Sequence, residues 1–230
     1  MMRLSLIIAI NLLICSQLFA ATLPPEFTAT YEIKKGFITI GEATRSLRKS
    51  GDQWQYTSDS RTTGFLGAVF PTKIIQTTQF DITDSLIRPL HYKYTKNKTA
   101  KVVNQKYDWE QHKVYSQSDE KLHVYEIPDK VQDQSIYQLS MMLDLADGKR
   151  DFTYHVAENV RLMDYFIKAL PPKTIKTFRG KMQTTVMRIK TKRNTTTIWF
   201  APSLHYLPVK IEFEEDGTTF VALLTNLHGF

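Results

Sequence analysis

The sequence predicts a mainly β protein, a single curved antiparallel sheet (a half-barrel or open barrel) packed around one central helix. Three observations lead there. Apolar and polar residues alternate in stretch after stretch, at spacings of about 8–12 residues with turn residues between them. One stretch alone changes to helical spacing. The clearest segment, Asn194 to Phe220, reads as a strand carrying Trp199, a connector bounded by Pro202 and Pro208, and a second strand. In that second strand Val209, Ile211 and Phe213 share one face while Lys210, Glu212 and Glu214 share the other, and Asp216-Gly217 turns into a closing strand.

In chain order, Met1-Met2-Arg3, the apolar run Leu4 to Ile14 and the small-residue exit Ser16 to Ala21 have the layout of a secretory signal peptide. Cleavage is expected after Ala20, so residues 1–20 are the leader and 21–230 a single β-rich domain, exported to the periplasm, with no transmembrane anchor in the mature chain. The competing reading is a lipid anchor on Cys15, against which stands the bulky Ile14 before it.

Beyond Pro24-Pro25, Phe27, Ala29, Tyr31 and Ile33 alternate with Thr28, Thr30, Glu32 and Lys34. Lys35-Gly36 turns into Phe37–Leu47, where Gly41 marks a bulge. Ser50-Gly51-Asp52 leads to the strand of Trp54 and Tyr56. Gly64 to Pro71 (GFLGAVFP) is apolar throughout, and is expected to fold inward as core or to form an apolar flap at a ligand mouth. Strands resume at Lys73–Ile82, Leu86–Thr95, Val102–Trp109, Val114–Ser116 and Leu122–Ile127. Ile136, Leu139, Leu143 and Ala146 then fall at helical spacing, capped by Asp133 and ended by Gly148, a helix of about four turns. Phe152–Val156, Leu162–Leu170, Gln183–Thr191 and Thr218–Leu227 complete roughly a dozen strands. No linker divides them.

The chain has 30 Lys and Arg against 23 Asp and Glu, a formal charge of +7 that becomes +6 once Arg3 leaves with the leader. That excess suits anionic envelope material, or is a solvated surface, since the basic residues are scattered. No nucleic-acid motif is present. Cys15 is the single cysteine, so the mature chain excludes a thiol nucleophile, a thiolate metal site and a disulfide.

The six histidines show no metal-ligand spacing, and neither a Gly-x-Ser-x-Gly elbow nor a phosphate loop occurs, so neither a metal nor a cofactor is implied. His91 and His155 lie opposite the apolar phase of their strands and read as solvent-facing, and the pairs Asp81/Asp84 and Asp144/Asp147 read as solvated carboxylates. Asp108, between Tyr107 and Trp109, either fixes a turn through backbone amides or is the lone acid of an envelope hydrolase. A surface β-barrel ending in Phe230 is rejected, because His228 and Asn226 break the lipid-facing alternation.

From about Phe27 to Leu224 a series of short pieces stands in a fixed order. They are Phe27-Thr28-Ala29-Thr30-Tyr31, Gly36 and Gly41, Pro89 with Tyr92, and Tyr107-Asp108-Trp109. Gln132-Asp133, Leu139-Ser140, Thr177 with Gly180, and Trp199-Phe200-Ala201-Pro202 leading to Tyr206-Leu207-Pro208-Val209 follow. On these residues the chain resembles the exported bacterial family known as domain of unknown function 3108. The resemblance implies an exported, mainly β protein without an assigned reaction. The strand pair around Trp199, Pro202 and Pro208 is also similar, more loosely, to the lipoprotein-carrier proteins, which wrap a curved sheet around a helix and hold acyl chains.

The expected function is therefore that of a non-enzymatic envelope protein with an apolar or lipid-like ligand between sheet and helix. Phe65, Leu66, Val69, Phe70, Met141, Met142 and Trp199 are the expected lining, unless they form an ordinary packed core. The alternative is an interaction or scaffold protein that meets an envelope partner without a small ligand.

Overall fold

Alternation of inward apolar and outward polar side chains carries most of the chain into strands, which pair as one continuous sheet. The structure, a computed structural model, describes residues 23–229 except 84–85, 98–100, 119 and 193, so the expected leader lies outside the described residues. The first half contains β1 (Phe27–Lys35), β2 (Ile38–Ser50), β3 (Gln53–Thr62), the short helix α1 (Gly64–Val69), β4 (Lys73–Thr83) and β5 (Leu86–Lys96). There follow β6 (Lys101–Asp108), β7 (Lys113–Ser118), β8 (Lys121–Glu126), β9 (Val131–Asp133) and the central helix α2 (Tyr137–Ala146). The chain ends with β10 (Phe152–Glu158), β11 (Arg161–Thr177), β12 (Gly180–Lys190), β13 (Thr195–Ala201), a 3₁₀ turn (Pro202–Leu204), β14 (Leu207–Glu215) and β15 (Thr218–His228).

The sheet has fifteen strands in the order β8-β7-β6-β5-β4-β3-β2-β1-β15-β14-β13-β12-β11-β10-β9. Every pairing is antiparallel except the last, β10 with β9. The strip bends until its two halves face each other across α2, without closing. Where they approach, Gln132 Nε2 donates to Ile87 O at 3.1 Å, and Thr78 Oγ1 donates to Asp133 Oδ2 at 2.8 Å. A small cluster of Tyr92, Tyr107, Val114, Ile127, Val131 and Ala157 packs along this seam.

The main core is the concave face. Phe27, Ala29 and Tyr31 of β1, Leu47 of β2, Tyr56 of β3 and Phe80 of β4 meet Leu139, Met141, Met142 and Leu145 of α2. Leu139, Met141 and Leu145 are fully buried, and truncating any one to Ala would cost about 2–5 kcal/mol. The helix is shorter at its start than its periodicity predicts. Asp133 still pairs in β9, and its Oδ1 accepts from the N–H groups of Ser135 (2.7 Å) and Ile136 (2.8 Å), so residues 134–136 form a turn before α2 begins. Its end is as expected. Gly148 has φ +82°, its N–H donates to Leu145 O, and the Lys149 N–H donates to Asp144 O, a Schellman arrangement.

Three other expectations meet corrections. Beyond Leu170, β11 continues to Thr177, shifting register between Leu170 and Lys173 because Pro171 and Pro172 have no N–H to donate. Fifteen strands replace about a dozen. Gly64 to Pro71 does not fold inward as core. Its first six residues form α1, and it is Gly67 that meets the sheet, where an added Cβ would lie 2.9 Å from Thr62 O. The aromatic side of the turn is thus left pointing away, with Phe65 81% and Phe70 67% exposed.

Gly41 lies where β1 and β2 change register, and a Cβ there would stand 2.5 Å from Arg61 O on β3. Gly41→Val is expected to destabilise the protein by about 2–3 kcal/mol, because backbone rather than a yielding side chain is in the way. Urea unfolding measures it. A loss below about 0.5 kcal/mol, the range of neutral surface changes, would contradict this close approach.

Candidate functional site

The strand directions place seven connections at one end of the bent sheet, among them the β1–β2 tip (Gly36, Phe37), α1, the β10–β11 tip (Asn159, Val160) and the β14–β15 tip (Asp216, Gly217). Toward that end the concave face is not filled. A hollow of about 620 Å³ lies between α2 and the sheet. Tyr137 and Gln138 form its floor, Arg45, Gln76 and Tyr94 one wall, and Met163, Tyr165, Ile189, Ile211 and Phe213 the opposite wall. Glu158, Asn159, Thr191, Asn194 and Glu215 stand around the mouth.

Arg45 sets the electrostatics. It follows Ala43 and precedes Leu47 in the inward phase of β2, so the alternation that builds the core also turns its guanidinium inside. Nη1 donates to Gln138 Oε1, and the guanidinium lies 5.2 Å from the centre of the Tyr31 ring. No carboxylate comes within ion-pair distance of it among the described residues. Burial works against its charge, the neighbouring Tyr56, Tyr31 and Tyr137 act the other way, and the guanidinium stays protonated, its pKa raised above the ordinary arginine value.

Around the cation the donors are tyrosyl hydroxyls. Burial raises Tyr56 and Tyr137 above the ordinary phenol range, and burial with the neighbouring Tyr137 and Glu158 does the same for Tyr165, so all three remain protonated. Tyr137 and Tyr165 pack edge to face with centroids 5.1 Å apart, and Tyr165 donates to Glu158 Oε1 at 2.8 Å. The hollow thus offers one fixed positive charge, several hydroxyl donors and an apolar wall. Such a site fits a molecule with an anionic head and an apolar body.

A second cleft, about 510 Å³, opens between β5 and β10. Its inner polar groups bond one another: Ser140 Oγ donates to Gln132 Oε1 at 2.6 Å, and Asp144 takes both the Tyr154 hydroxyl and the Lys149 ammonium. Asp144 is therefore a half-buried, engaged carboxylate rather than a solvated one.

The structure does not bring the sequence-predicted lining together. Phe65, Val69 and Phe70 are exposed at the mouth end, and Leu66 shares their helix but its side chain lies outside those described. Met141 and Met142 are packed core. Trp199 is buried in the main core cluster and does not line the hollow; it stands directly across from Lys210, whose ammonium sits 4.5 Å over its ring.

The motif residues build scaffold. Asp108 Oδ1 accepts the Gln111 N–H at 2.9 Å and holds the β6–β7 turn. Trp109 Nε1 donates to Pro89 O at 2.8 Å, stacks on Tyr107, and lies under the Arg88 guanidinium. Pro202 opens the 3₁₀ turn, and Pro208 O accepts the Tyr31 hydroxyl at 2.9 Å. Asp133 is wholly buried, and burial pushes its carboxyl up to about 6 despite three hydrogen bonds. His91 is exposed, and exposed His155 lies 2.8 Å from Asp164.

An open, barrel-like antiparallel sheet around one helix defines the class of protein. The family described as Protein of unknown function (DUF3108) matches residues 26–225, and the chain belongs to that family. Among solved structures, a "Beta-barrel-like Protein of Domain of Unknown Function DUF1849 from Brucella abortus" is similar at 10% identity, covering 90% of this chain and 98% of that one with a TM-score of 0.65. At that identity the likeness concerns the fold alone. No curated protein matches the sequence.

Proposed function

We propose that the protein is an exported, non-enzymatic module of the cell envelope that holds a lipid-like molecule, anionic at one end, in the hollow between sheet and α2. The observation that carries this reading is Arg45, a charged, half-buried guanidinium at the base of a hollow of about 620 Å³ and facing an apolar wall of Met163, Ile189, Ile211 and Phe213. Taking a cation out of water is costly unless an anion or strong acceptors meet it, and the groups that meet Arg45, Gln138 and the tyrosines, are neutral. A carboxylate or phosphate would complete the set while its chain lies along the apolar wall.

Native mass spectrometry and lipid extraction of protein purified from the envelope test the reading. An anionic amphiphile is expected to copurify, and a fluorescent fatty acid to bind the delipidated protein with micromolar affinity, roughly −8 kcal/mol. A protein that carries nothing and binds no such probe, but gives one dominant protein crosslink in cells, would replace this reading with a scaffold role.

A further inference from the structure

Six of the eleven exposed large apolar side chains among the described residues stand at one end, while Ile82 and Phe178 lie at the opposite end and Leu122, Val124 and Phe166 along strands. Phe37 and Ile38 at the β1–β2 tip, Phe65, Val69 and Phe70 on and after α1, and Val160 at the β10–β11 tip all stand around the mouth of the hollow. Phe37 is fully exposed and Ile38 is 68% exposed. Single exposed apolar residues are ordinary on a folded surface, but a group confined to one rim marks an interaction site. The first two groups are tied together, since the Thr63 N–H donates to Ile40 O at 3.1 Å and so holds α1 against the base of the hairpin that carries Phe37.

Charge identifies the occupant. Lys35, Lys96, Lys101, Arg161, Lys190 and Lys192 lie at the same strand ends, and none has a carboxylate in ion-pair reach among the described residues. Lys34, Arg61 and Lys73 are paired with Glu32, Glu42 and Asp59; the other acids of this end are Glu214, Glu215 and Asp216 at the β14–β15 tip, Glu158 at the end of β10 and Glu120 at the β7–β8 tip. Aromatic prongs on separate tips, set among lysines, match a deformable anionic surface better than the fixed pocket of a partner protein.

We propose that this rim docks on an anionic lipid bilayer, with Phe37, Phe65 and Phe70 entering the headgroup region and the lysines facing lipid phosphates. The mouth of the hollow then faces the membrane. Docking itself requires no occupant in the hollow, so it stands or falls separately from the ligand reading.

Flotation with vesicles of phosphatidylcholine containing about one-third phosphatidylglycerol tests it. The wild-type protein is expected to float with these vesicles and to bind pure phosphatidylcholine about tenfold less. Combined Phe37→Ser, Phe65→Ser and Phe70→Ser changes remove only exposed rings, should leave circular dichroism and melting unchanged, and should weaken flotation by at least about tenfold. In a Phe37→Trp protein the added emission should shift to the blue when vesicles are supplied. Arg45→Met should float like wild type, which separates this surface from the hollow. The proposal is overturned if wild type fails to float with the anionic vesicles, if the triple variant floats equally well, or if the rim yields only a protein crosslink.

Discussion

Replacing Arg45 by methionine is expected to weaken binding of a long-chain carboxylate by about ten- to hundredfold while leaving an uncharged ester of the same chain unaffected. Among the described residues the guanidinium supplies the only cation on the floor and walls of the hollow, and its neighbours are neutral: Gln138, Gln76 and the tyrosines. A hydrogen bond to a charged group is worth about 1.5–3 kcal/mol, and loss of one sets that range. Methionine matches the length of the stem and can still pack against Tyr31, so the fold should persist; what is left behind, Gln138 and Tyr56, faces a hollow that water can fill. Arg45→Lys keeps the charge but loses the planar fork, and is expected to fall between the two. Titrating both probes into the delipidated proteins separates the cases. Equal loss for acid and ester would make Arg45 a packing residue, and no loss for either would remove it from the site.

How much of this was legible in the sequence follows from which forces shape each part. Strands with one buried face, such as Phe27–Lys35 and Leu207–Glu215, announce themselves because burial imposes a period of two. The Gly148 end of α2 and the Asp216-Gly217 hairpin were equally readable, since a positive φ at each favours those residue types. Asp108 was read correctly as one of two choices, a turn-fixing acid. Gly64 to Pro71 misled because apolar composition reports a preference for burial, not the direction a helix faces; Gly67 against the Thr62 carbonyl decided that, and a backbone approach leaves no hydrophobic signature. Arg45 escaped notice for a related reason. Its signal was a charge in the inward phase between Ala43 and Leu47, but an arginine in a strand ordinarily reads as solvent-facing, and Gln138 and Tyr165, its companions across the hollow, are 93 and 120 positions away in the chain. Trp199 is core rather than lining: it is buried in the main core cluster, with Lys210 directly across from it on β14.

Asp133 gives the second large effect, a dependence of stability on pH that runs opposite to the usual carboxylate. Most folded carboxylates titrate low and lose their stabilising contribution as pH falls. Asp133 is fully buried, and burial raises its carboxyl from 3.8 to about 6, against the hydrogen bonds from the Ile136 and Ser135 N–H groups and the Thr78 hydroxyl that lower it. Between about pH 4 and pH 6 the folded state therefore keeps a proton that the unfolded chain releases, so this group's contribution falls as pH rises through that window and is level above it. The difference between the two titration points corresponds to about 3 kcal/mol. In the Asp133→Asn protein the side-chain oxygen can still accept from both N–H groups, and the Thr78 hydroxyl can rotate to accept from the new amide, so the geometry that starts α2 survives without the charge. Relative to wild type, this variant should gain about 3 kcal/mol between pH 4 and pH 6.5, because the other titrating groups cancel in the comparison. Asp133→Ala should behave differently. It strands two N–H groups and a buried hydroxyl, and should cost about 2–4 kcal/mol relative to the Asn variant at any pH. Urea unfolding of the three proteins at four pH values measures both quantities. A wild-type-minus-Asn difference that stays flat from pH 4 to pH 6.5 would show that the carboxyl is not held above its ordinary range, and that water or a cation reaches Asp133 at the start of α2.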